Sequence, residues 1–181
     1  MTLPMKYLSK DYDETMAKVR LPFFWILSIA LLIGACRKFK SFDPIPVIEY
    51  KSHNFKRSQP LGLHMLHLEM TFRDGDGDIG LNDGDTLPPF DISSPFYHNL
   101  WIELFTVQNS FIVDTFNFNA RIPNITPPGQ VKSLEGEIQY EIPIDGLAEG
   151  DSIRVGIRLV DRALNVSARS FSPDIVVKRP Q

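Results

Sequence analysis

From residue 45 onward, apolar and polar positions alternate with a period of two. Leu66, Leu68, Met70 and Phe72 alternate with His67, Glu69, Thr71 and Arg73, the pattern of a strand with one face buried. Ile138, Tyr140, Ile142 and Ile144 repeat it against Gln139 and Glu141. Ile153, Val155, Ile157 and Leu159 repeat it against Arg154 and Arg158. Shorter runs predict strands over 47–51, 100–107, 111–117 and 175–178. No long 3.6-residue period occurs in this part of the chain, so no helix is expected there.

The punctuation agrees. Gln108-Asn109-Ser110 predicts a hairpin, Asp145-Gly146 and Glu149-Gly150-Asp151 set off the next pair of strands, and Arg162-Ala163-Leu164-Asn165 links the last two. Pro44, Pro46, Pro88, Pro89, Pro123, Pro127, Pro128 and Pro173 fall at edges and connections, where a missing N–H is tolerated. About seven short strands in one small domain predict an all-β, two-sheet antiparallel sandwich. The end of the chain sharpens this. Gly150-Asp151-Ser152-Ile153, then Leu159-Val160-Asp161-Arg162-Ala163-Leu164-Asn165-Val166-Ser167, resembles the last hairpin of bacterial Ig-like and fibronectin-III-like domains. There an Asp-x-Ala-x-Asn turn joins the final strands. The resemblance implies an Ig-like β-sandwich over residues 45–181.

The first part of the chain has a different pattern. Lys18 and Arg20 precede an apolar run over 21–32, followed by small Gly34 and Ala35 and then Cys36, the only cysteine. The run is shorter than the ~20 residues that span a bilayer, and polar chain follows at once. Such an order of blocks marks a cleaved export segment. The alternative is a buried helix with an incidental cysteine. Leu31-Leu32-Ile33-Gly34-Ala35-Cys36 resembles the lipobox of bacterial lipoproteins. The resemblance implies a signal peptide over 1–35, formed as a helix, and lipid on Cys36. A tether over 36–44 would then lead into the domain. The mixed charges from Lys6 to Glu14 fit a signal peptide badly, and Met16-Ala17-Lys18-Val19-Arg20 predicts a translation start at Met16.

Arg37-Lys38 follow the cysteine with no aspartate beside it, which resembles outer-membrane sorting in Gram-negative bacteria. Arg37-Lys38-Phe39-Lys40-Ser41 also lacks the acidic cluster of surface-exported Bacteroidota lipoproteins, so the periplasmic face is expected. With its one thiol carrying lipid the domain has no disulfide, and core packing or bound ions must stabilise it. Residues 1–35 hold four of the 19 basic and three of the 22 acidic residues, leaving 15 basic against 19 acidic. That balance argues against nucleic acid as a partner. The expected partners are the membrane, through the anchor, and an envelope protein or a glycan.

Chemistry is concentrated in Asp74-Gly75-Asp76-Gly77-Asp78-Ile79-Gly80-Leu81-Asn82-Asp83-Gly84-Asp85, with only Arg73 nearby in sequence to compensate. Ca²⁺ takes six to eight oxygens, and aspartates alternating with glycines let a tight loop turn several inward. Counted from Asp74, the segment matches the EF-hand pattern at positions one, three and five. It departs at position six, where Ile79 replaces the turn glycine, and at position twelve, where Asp85 stands for glutamate. Strands rather than helices flank it. It resembles the broader group of Asp-x-Asp-x-Asp calcium loops. The expected ligands are Asp74, Asp76, Asp78, Gly80, Asp83 and Asp85, with calcium as the ion; a solvated Asp-Gly turn and another metal are the alternatives. If residues 66–72 and 153–160 are the B and F strands, the B–C and F–G connections share one end. Asp161 and Asn165 would then approach the loop, as extra ligands or as caps of the final hairpin. With the lipobox and this loop, the whole chain resembles small Ig-like lipoproteins of Bacteroidota, a likeness that implies no activity.

A long connection follows, carrying Phe90, Phe96 and Tyr97 ahead of Trp101. It either stacks on a sugar or partner, or folds back over the sandwich end. Other signals read as structural. Gly150-Asp151-Ser152 is similar to an esterase nucleophile block, but no histidine follows it. His64 and His67, three apart on a strand, face opposite sheet surfaces. Glu135, Glu137 and Glu141 read as a solvated face rather than a glycosidase pair. Asp85-Thr86-Leu87 and Asp151-Ser152-Ile153 resemble a short O-glycosylation motif of Bacteroidota envelope proteins. The reading is a non-catalytic binding or structural lipoprotein; carbohydrate recognition and an unspecified hydrolase are the rivals.

Overall fold

The computed structural model describes residues 42–126 and 133–180. The expected signal peptide, Met16 start, lipid on Cys36 and tether up to residue 41 fall outside them. Within them the chain forms eight strands: β1 (Val47–Arg57), β2 (His64–Asp74), β3 (Leu100–Gln108), β4 (Phe111–Asn117), β5 (Leu134–Pro143), β6 (Ser152–Leu159), β7 (Ser170–Phe171) and β8 (Ile175–Val176). β1-β2-β5 make one antiparallel sheet, and β4-β3-β6-β7, with β8 also on β6, make the other. The result is an antiparallel β-sandwich whose strand order is compatible with an Ig-like fold.

The period-two residues become the core. Leu66, Leu68 and Met70 of β2 meet Ile102 and Leu104 of β3, Ile142 of β5 and Ile153, Val155, Ile157 and Leu159 of β6 in one buried cluster. Asn109 and Ser110 both take positive φ, 49° and 69°, as a two-residue hairpin demands.

Two elements differ from the alternation. β1 runs to Arg57 rather than stopping at Lys51, because its register against β2 shifts between Tyr50 and Ser52. That bulge changes the less exposed positions from Ile48 and Tyr50 to His53 and Phe55, and no single period of two can span it. β7 carries no periodic signal because it is two residues long. Here buried serines extend the ladder: the Val155 N–H donates to Ser172 Oγ at 2.9 Å and the Leu159 N–H to Ser167 Oγ at 2.9 Å.

Register fixes what lies at each end. Val47 pairs with Arg73, at the finish of β2, and Leu100 pairs with Leu159, where β3 starts and β6 finishes. The chain's entry, the connection over 75–99 and the turn over 160–165 therefore share one end.

Candidate metal centre

Asp74 is the last residue of β2 and Asp161 lies just beyond β6. An isolated antiparallel bridge between Ile79 and Asp161 closes the gap between them. Asp74, Asp76, Asp78 and Asp161 each place one carboxylate oxygen so that all four lie within 4.8 Å of one another. Asp74 is 0 % exposed and Asp161 1 %. Four close aspartates of this kind can hold a metal ion.

Hydrogen bonds hold the loop on this side. Asp74 Oδ2 accepts the Asp78 N–H at 3.0 Å, and Asp78 Oδ2 accepts the Ala163 N–H at 3.1 Å. Asn165 donates to both Asp161 oxygens, through its main-chain N–H at 2.7 Å and its Nδ2 at 2.8 Å. Gly80 sits at φ 96° against the main chain of residue 123, where an added Cβ would lie 2.2 Å from the Pro123 carbonyl oxygen. The Leu81 N–H donates to Ile122 O and the Asn124 N–H to Leu81 O, and Thr126 Oγ1 donates to Gly77 O.

These bonds leave a remainder. Asp74 Oδ1, Asp76 Oδ1 and Asp78 Oδ1 are buried and accept no hydrogen bond. A buried carboxylate oxygen without a partner is costly, and three in one cluster repel one another as well. Burial first, then the Asp76 charge, pushes Asp74 up to about 7. Burial, with the charges of Asp161 and Asp76, pushes Asp78 up to about 6. Burial raises Asp161 too. A divalent cation would remove all three penalties at once. An all-carboxylate donor set suits a hard, oxygen-seeking ion.

The structure divides the remaining sequence-derived ligands. Asp161 joins the cluster, and Asn165 orients it. Asp83 is exposed and lies outside the group of four. Asp85 also lies outside it: its Oδ2 pairs with Arg162 and accepts the Asn82 N–H at 2.8 Å, which holds its pKa below the ordinary value. Arg73, the nearest cation in sequence, instead lies over the Phe42 ring at 5.9 Å. The cations that reach the loop are Arg162 and Arg121, and Arg121 donates to the Asn82 and Asp85 carbonyls. Neither was legible as a partner, since each comes from a distant segment.

The aromatic connection folds back on the sandwich end. Phe96 stacks on Trp101 at 6.2 Å. Guanidinium groups of Arg158, Arg121 and Arg162 lie over Trp101, Tyr97 and Phe90 at 5.0, 5.1 and 6.0 Å. Elsewhere, His64 meets Asp145 at 3.1 Å and His67 meets Glu141 at 3.2 Å. Asp151 caps the turn before β6 by accepting the Ala148 N–H at 2.8 Å. Glu137 receives Lys51 at 2.8 Å. Among the described residues no helix is long and apolar enough to cross a membrane. No protein-family model matches the chain, and no curated protein matches it.

Proposed function

We propose that this chain is a lipid-anchored, non-catalytic binding or structural module of a bacterial cell envelope, braced by one Ca²⁺ ion. Its ligands would be Asp74, Asp76, Asp78 and Asp161, with Asn165 holding Asp161 in place. The observation that carries the ion is the set of three buried, unpartnered Oδ1 atoms within a cluster of four carboxylates. Calcium suits it better than magnesium because it accepts irregular oxygen geometry, whereas magnesium demands a near-ideal octahedron. The ion would tie the end of β2 to the turn after β6, which belong to opposite sheets. In a chain with one cysteine, that tie does the work a disulfide would otherwise do. At millimolar calcium and a dissociation constant of ~0.1 mM, one site adds roughly 1.4 kcal/mol.

Anchoring is supported by the charged, apolar and small-residue blocks that end at Cys36. Its basic flank favours the periplasmic face of the outer membrane. The aromatic connection is assigned a packing role: guanidinium groups and a neighbouring ring already occupy Phe90, Phe96, Tyr97 and Trp101, which leaves a sugar little to stack on.

Melting the protein in excess chelator and again in millimolar calcium tests the ion. The proposal expects the calcium curve to lie several degrees higher. Superimposable curves would refute it. Mass measurement of the N-terminal peptide of the membrane-extracted protein tests the anchor, with a diacylglycerol thioether on Cys36 as the expected adduct.

A further inference from the structure

The end of the sandwich that carries the aspartates also receives the chain. A Cβ on Gly75 would lie 2.4 Å from the Phe42 carbonyl oxygen and 2.5 Å from that of Asp43, so the chain leading into β1 passes directly beside the acidic loop. Cys36 precedes Phe42 by six residues, which reach at most ~21 Å when fully extended. Whatever Cys36 is fixed to therefore lies within that distance of this end.

The same end bears an apolar tip. On the connection over 82–98, Leu87 is 76 % exposed and Ile92 82 %. Between Thr86 and Tyr97 the only charged residue is Asp91, and its Oδ1 accepts the Ser93 N–H at 3.0 Å. The base of the tip is held firmly: Arg121 Nη1 donates to the Tyr97 carbonyl at 2.9 Å and Nη2 to that of Asp85. Two large apolar side chains thus stand in water on a braced support, at the end the tether reaches.

We propose that this tip docks on the bilayer that holds the anchor, with Leu87 and Ile92 entering the interfacial region. The inference rests on the anchored reading of Cys36. A short tether makes the encounter intramolecular and raises the local concentration of the surface. Weak insertion of two side chains then suffices, although neither would hold an untethered protein. A bilayer is favoured over a protein partner because the tether delivers this end, and not the opposite one, to it.

Tryptophans added one at a time, beside the native Trp101, read the docking directly. Leu87→Trp and Ile92→Trp probe the tip, Leu61→Trp probes the opposite end and Val113→Trp probes the side, where β4 carries a second exposed apolar strip. The full-length chain, processed by its host and purified in detergent, is reconstituted into phosphatidylethanolamine–phosphatidylglycerol vesicles containing brominated phospholipid. The unsubstituted chain supplies the background. The expected result is a blue shift and a loss of fluorescence at 87 and 92 that exceed those at 61 and 113. Equal quenching at all four positions, or greater quenching at 61 or 113, overturns the proposal. A Cys36 found without lipid sinks the anchor reading alone. The same thiol, unique in the sequence, is then coupled to a maleimide headgroup, and the four-position comparison still decides the docking.

Discussion

The two halves of one acidic loop both alternate aspartate with glycine, yet their electrostatics are opposite. In residues 74–81 Asp74 is buried and Asp76 and Asp78 are partly buried, and one oxygen of each is buried and accepts nothing. In residues 82–85 Asp83 is exposed, and the partly buried Asp85 is reached by Arg162. Asp74 is accordingly pushed up to about 7, while Asp85 is held down. The number of carboxylates does not mark the cation site; what marks it is where the protein withholds a cation of its own. The first half faces the junction of the two sheets, where a bound ion would tie them. The second half faces the aromatic connection, where arginines do the tying.

The glycines break this comparison most sharply. Gly80→Ala forces a Cβ into the Pro123 carbonyl at positive φ and should cost ~3 kcal/mol or more in denaturant unfolding. Gly84→Ala, with nothing within 4 Å of its added Cβ, should stay within ~0.5 kcal/mol of the parent. Similar losses for the two would show that the halves are not differently packed.

A smaller effect separates the carboxylates. Asp74→Asn should abolish the calcium-dependent melting shift of ~3–6 °C and raise the melting point in chelator by removing a buried charge. Asp85→Asn should keep the shift. Loss of the shift in both variants would return Asp85 to the ligand set.

Acidity adds a third test. With calcium removed, Asp74 titrates at about 7 folded against 3.8 for an ordinary aspartate. Between those values the folded state binds more protons than the unfolded one, so this contribution to stability grows as pH falls and is lost as pH rises through 7. The parent should therefore gain on Asp74→Asn as pH is lowered in chelator. The calcium-dependent shift should shrink over the same range, because protons compete for its ligands. Parallel pH profiles for parent and variant would contradict the assignment. The smallest effect is expected for Arg162→Gln, which loses the partly buried pair with Asp85 and costs ~0.5–1 kcal/mol, leaving the calcium shift in place.

Alternation made most of the sheets legible, because Leu66, Leu68 and Met70 or Ile153, Val155 and Ile157 must all point one way to form a core. It failed where the backbone departs from the repeat. The bulge after Tyr50 hid the second half of β1, and serine hydroxyls replaced main-chain partners near β7. The aspartate loop was legible as a cation candidate from its spacing, and shared ends of the B–C and F–G connections brought Asp161 to it. Spacing could not divide the loop, because the division depends on Arg162, Arg121 and Thr126. These come from 77, 36 and 49 residues away in sequence.

The central claim is that the buried half of this loop binds one divalent ion. Calorimetric titration of the chelated protein with calcium near neutral pH tests it most directly. One saturable site per chain is predicted, lost in Asp76→Asn and retained in Asp83→Asn. No saturable binding, or binding lost in Asp83→Asn and kept in Asp76→Asn, would contradict it.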